Sequence, residues 1–201
     1  MIGSSPLHAF WSLLCTLIAL FYLLRLVGGR VWLPYFDAEE EVRHGMMAIG
    51  MIVMLAPASL LTADILHWNL ILFAVASLWW TCRLFARKPL LAIVLKKSEG
   101  PSSFQSDIIH LFTHVGMCYM FLLISSMAFS MAQPAIYADY IFVVSFVFLT
   151  LFYSREVSKD LQAATLDKLK LSAHIAHILM STIMGWMFIE MISMTMRMIS
   201  P

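Results

Sequence analysis

A run of about 20 apolar residues recurs six times in this chain, each long enough to cross a hydrocarbon core about 30 Å thick. The runs fall at roughly 7–27, 42–63, 66–86, 106–131, 135–154 and 169–195, with ends set to within about 2–4 residues. Charge is sparse around them: 12% of the 201 residues are charged, 61% are hydrophobic, and the mean hydropathy is +0.85. A soluble domain carries about twice that charge. The sequence therefore predicts an all-α polytopic membrane protein, one integral membrane domain spanning residues 1–201 with six transmembrane helices. Pro57 lies inside the second run and is expected to kink it, which membrane helices tolerate when neighbours re-satisfy the backbone. The stretch RKPLLAIVLKKSEGPSS, residues 87–103, is too short and too basic to cross and is expected to lie along the interface. The first run has no basic leader and no small-residue cleavage site, so it reads as a retained helix. Cys15, Cys82 and Cys118 form no C-x-x-C pair and predict no disulfide framework.

The basic residues give an orientation. Arg25, Arg30 and Arg43 flank the first loop; Arg83, Arg87, Lys88, Lys96 and Lys97 fill the third; Arg155, Lys159, Lys168 and Lys170 fill the fifth. The second and fourth loops carry no Lys or Arg, and only Arg197 lies at the opposite end. By the positive-inside rule the odd loops are cytoplasmic and both termini face outward. The expected location is a bacterial inner membrane with its termini on the periplasmic or extracellular side. A net charge of +1 gives no reason to expect nucleic acid as a partner; the lipid bilayer is the expected one.

The second, fourth and sixth helices each open with His-x-x-Met: His44/Met47, His114/Met117 and His177/Met180. Each adds a methionine one turn further on, at Met51, Met120 and Met184. The chain thus reads as three tandem two-helix units, a form of internal symmetry common among transporters. Apart from the initiator, all of the 16 methionines fall on or at the ends of the even helices, whereas the odd ones hold most of the aromatic residues. This predicts an inner bundle of even helices. Steps of three and four place His174, His177, Met180, Met184, Met187, Met191, Met194 and Met198 on one stripe of the sixth helix. The fourth helix gives His110, His114, Met117, Met120, Met127 and Met131; the second gives Glu40 or Glu41, His44, Met47, Met51 and Met54, with Met46 turned away.

Imidazole suits copper, zinc, iron and nickel, and thioether sulfur favours Cu(I), so a histidine layer above a methionine ladder points to copper. The expected metal ligands are His44, Met47, Met51, His110, His114, Met117, Met120, His174, His177, Met180 and Met184, with Glu40 and Glu41 as additional ones. Against this stands a plainer reading, in which methionine fills core gaps and histidine bonds across helices. Glu190 lies about 20 Å along its helix from His177 and reads as interfacial. His8 and His67 also belong to the outer boundary, where they and Asp64 can gather ions.

The three motifs resemble a group of small six-helix bacterial membrane proteins of unknown function with His-x-x-Met on alternate helices. They are also distantly similar to Ctr-type copper transporters, whose trimer presents Met-x-x-x-Met three times on a pore helix. Met47/Met51 and Met180/Met184 match that spacing, while Met117/Met120 departs from it. The resemblance implies a pseudo-threefold arrangement within one chain. Copper transport, storage, or delivery to a cuproenzyme or copper chaperone follows as the leading expectation. The alternatives are a b-type haem electron-transfer protein using two of the histidines, a di-metal redox enzyme, and a cofactor-free subunit whose methionine face meets a partner. The chain has no Walker or P-type motif to energise transport.

Overall fold

A computed structural model describes residues 6–32, 38–56, 60–87, 104–126, 132–162 and 168–199. They form six α-helices: α1 (Pro6–Trp32), α2 (Ala38–Leu55), α3 (Ala63–Ala86), α4 (Phe104–Ser126), α5 (Ala132–Gln162) and α6 (Lys168–Ile199). Five of them, all but α2, are long and apolar enough to cross a membrane. The chain is an all-α polytopic membrane protein.

The second helix corrects the expectation most. It has 18 residues and opens with Glu39, Glu40, Glu41 and Arg43, too much charge for an apolar span of that length. It also stops at Leu55 instead of running to residue 63. The expected kink at Pro57 falls outside the described residues. Thr62 then caps α3, its hydroxyl accepting from the Ile65 backbone N–H at 3.3 Å. At the far end Arg87 takes a left-handed conformation with φ 53°, and its N–H closes on the Arg83 carbonyl at 2.8 Å. Pro57, Met127, Met131 and residues 88–103, the expected interfacial piece, lie outside the described residues.

The helices sort into two compact units, Met1–Ala128 and Phe129–Pro201. In the first, α1 packs on α2 and α3 on α4, and α2 touches α4; in the second, α5 packs on α6. Each pair is antiparallel, because partners rise in number on one helix as they fall on the other: Tyr22 meets His44 and Arg25 meets Glu41. These pairs are the three two-helix units of the sequence pattern. The even helices are the more enclosed. In the most apolar stretches of α4 and α6, 39% and 56% of residues are buried, against 17–22% in α1, α3 and α5.

The odd helices are apolar on both faces, as lipid contact requires. On α1, Leu13, Leu17, Leu20 and Leu24 stay at least 50% exposed while Cys15, Ile18 and Tyr22 turn inward. Hydroxyls inside the spans return to their own helix. Ser77 donates to the Phe73 carbonyl, Thr150 to Phe146 and Thr195 to Met191, so they need no water. The odd-helix rings are not confined to the lipid face. Phe73, Trp80, Phe142, Phe146 and Tyr153 are buried, and Phe142 and Phe146 stack on Phe188 of α6.

Candidate functional site

In the first unit the polar residues gather at the end of the hairpins that carries the charged start of α2. Arg25 of α1 grips Glu41 with two nitrogens, Nε at 2.9 Å and Nη2 at 2.7 Å. Arg83 of α3 bridges two helices, Nη1 to Glu39 at 2.8 Å and Nε to Asp107 of α4 at 3.1 Å. Arg43 turns its terminal nitrogens to Nδ1 of His110 and to the His44 ring. Two guanidiniums lie close to the Trp80 ring, Arg43 at 5.2 Å and Arg83 at 4.5 Å from its centroid. Glu39, Glu41 and Asp107 thus share one end of the unit with Arg25, Arg43 and Arg83.

This arrangement changes the role of two expected ligands. A guanidinium has only donors, so His44 and His110 each present a ring lone pair to Arg43. A metal ion taking those lone pairs would have to displace the guanidinium. Glu41 is engaged in the same way by Arg25. The Glu40 side chain lies outside the described residues. His44 is further fixed by stacking on Tyr22, with centroids 4.4 Å apart and planes within 11°.

His114 differs from both. Its Nδ1 lies 2.7 Å from the carbonyl oxygen of His110. A carbonyl accepts only, so Nδ1 carries the hydrogen and Nε2 presents the lone pair. Nε2 is buried with no hydrogen-bond partner, in a residue with 0% exposure. His114 also walls a cavity of about 330 Å³ between α2, α3 and α4, together with Glu39, Arg43, Met46, Trp79 and Trp80. Met46, which helical spacing turns away from the motif stripe, therefore faces the same space as the motif histidine. Met47, Met51, Met117 and Met120 are all buried.

In the second unit the expected ligand His174 faces a carboxylate. His174 Nδ1 lies 2.7 Å from Oδ2 of Asp160 on α5. His177, one turn on, stacks against Tyr153 with centroids 4.6 Å apart and planes within 8°. Below them Met180, Met184, Met187 and Met191 are buried in sequence along α6, while Met196, off the stripe, is 46% exposed. Asp139, outside every motif, is completely buried near the start of α5.

A repeat invisible in the motif pattern links the hairpins. Each motif histidine has an aromatic ring of the preceding helix beside it: Tyr22 at His44, Trp80 tilted over His114 at 6.3 Å, and Tyr153 at His177. The sequence signal for it is partial. Tyr22 and Trp80 each precede an arginine by three residues (Arg25 and Arg83), whereas Tyr153 precedes Glu156. The five histidines divide between the units, with His44, His110 and His114 in the first and His174 and His177 in the second. Among the described residues, no three His, Cys, Asp or Glu side chains are grouped to hold a metal ion. No family model, curated protein or solved structure matches the chain.

Proposed function

We propose that the protein binds copper within the membrane and holds it along α6, with His174 and His177 as nitrogen ligands and Met180 and Met184 as the sulfur ligands that follow. What supports this reading above all is the Asp160–His174 pair. A carboxylate on one ring nitrogen fixes the tautomer and aims the other nitrogen as a ligand. The thioethers favour the cuprous ion over zinc or iron. The first unit supports a metal less well, because Arg43 holds the lone pairs of His44 and His110. Transport, storage and delivery to a cuproenzyme or chaperone all need this binding step. On the positive-inside orientation, the His174 end of the stripe faces the cytoplasm.

The test is metal analysis of the detergent-purified chain after expression with added copper, followed by titration against a Cu(I) chelator. The intact protein retains copper, and the double change His174→Ala, His177→Ala removes it. Asp160→Asn keeps the ligands and loses their orientation, weakening Cu(I) about 10–100-fold. A copper-free protein, or a Soret band in its visible spectrum, would overturn the assignment.

A second prediction separates sulfur from nitrogen. Leucine nearly matches methionine in volume, so Met180→Leu with Met184→Leu leaves the packing in place. Cu(I) affinity then drops while any Cu(II) or Zn(II) binding through the histidines is unchanged. Equal loss for all three ions would mean that the methionines act only through packing.

A further inference from the structure

We propose that the cavity at His114 binds a neutral, lipid-soluble molecule with a hydroxylated ring, of the quinol class, through His114 Nε2 and Arg43. This does not rest on the copper reading, which uses residues of the other unit. The first support is the buried lone pair. Leaving an acceptor unsatisfied in an apolar interior costs about 1–3 kcal/mol, and His114, which carries it, is one of the residues lining the cavity. With Nδ1 committed to the His110 carbonyl, Nε2 accepts, so its ligand must bring a donor such as an O–H.

Charge and shape narrow the class. The Arg43 guanidinium, from a residue that also lines the cavity, opposes a bound cation, and Glu39, another lining residue, opposes an anion. A neutral molecule meets neither objection. An oxygen on it that accepts from Arg43, and a hydroxyl that donates to His114, satisfy both polar walls. The remaining lining is apolar and includes Trp79 and Trp80, suited to a flat ring. Leu72 and Val75, which also line the cavity, are 43% and 59% exposed on a membrane-crossing helix. The mouth therefore opens toward lipid, the phase in which such a ligand dissolves. A volume of about 330 Å³ lies at the small end of ligand sites, room for one ring head with its tail left in the bilayer.

The test uses the full chain in lipid nanodiscs, titrated calorimetrically with a decyl-substituted benzoquinol kept reduced, with its quinone, and with decylbenzene. Empty nanodiscs give the blank for partitioning. The intact protein shows one saturable site that takes the quinol about tenfold more tightly than the quinone, since only the reduced head donates to Nε2. Decylbenzene shows no site. Ala76→Phe, which fills the cavity wall and leaves the polar groups untouched, weakens the quinol at least tenfold, while His114→Phe removes the preference for the reduced form. Absence of saturable binding, binding unchanged by Ala76→Phe, or copper lost from the His114→Phe protein would each overturn the proposal. The last outcome would assign the lone pair to the metal.

Discussion

Arg83→Met is expected to destabilise the first unit by about 3–5 kcal/mol, because it takes the same guanidinium from two buried carboxylates at once. Glu39 and Asp107 side chains are 7% and 2% exposed, and both are bonded to the same guanidinium. Methionine keeps much of the contact with Trp80 but supplies no donor and no charge. The measurement is the thermal midpoint of the detergent-solubilised chain followed by tryptophan fluorescence. Removing the two carboxylate charges as well, with Glu39→Gln and Asp107→Asn in the Arg83→Met background, is expected to restore most of the loss. If the triple variant melts no higher than the single one, the defect is lost packing at Trp80 and not uncompensated charge. Lys159→Met gives the contrast. Its pair with Glu156 is exposed, and its loss is expected to fall within about 0.5 kcal/mol.

The membrane class and the helix pairing were legible in the sequence because lipid imposes both. Every crossing segment must be long, apolar and internally bonded, and three motif repeats mark three hairpins. The candidate site could be proposed from the sequence only where one helix carries it. His174, His177, Met180 and Met184 share a stripe on α6, and helical period alone puts them there. Partners from other helices could not be, because the register between helices depends on turns whose geometry no spacing encodes. Asp160 therefore gave no signal as the residue behind His174. Arg43 reads in the sequence as a topology charge, since it neighbours His44 in the chain and belongs to a different helical face. Its long side chain nonetheless reaches rings on both α2 and α4. Met46 shows the limit of the one-stripe argument. α2 packs on α1 and also touches α4, so more than one of its faces looks inward. The end of α2 at Leu55 was not read because the apolar run continues beyond it in the sequence.

Gly50→Ala carries the other large expected effect. A Cβ at this position would lie 2.5 Å from Cζ of Phe73 and 2.7 Å from the methyl carbon of Met117. Met117 ends in a flexible thioether and can yield. Phe73 has less room, because it is completely buried and stacks on Phe121 with centroids 5.6 Å apart. Overpacking of this kind costs about 1–3 kcal/mol. Alanine also favours a helix over glycine by about 1 kcal/mol, so the observed change is the difference of two terms. Gly45 isolates the second term: it lies on the same helix, and a Cβ there meets nothing within 4 Å. Gly45→Ala is therefore expected to raise the thermal midpoint and Gly50→Ala to lower it, while Phe73→Leu in the Gly50→Ala background recovers part of the loss by shortening the ring. Opposite signs at two glycines five residues apart would locate the close approach of α2 to α3 and α4 at Gly50. Stabilisation at both positions would mean that this short, charged helix is not seated through Gly50, and the burial of Met117 against it would then need another cause.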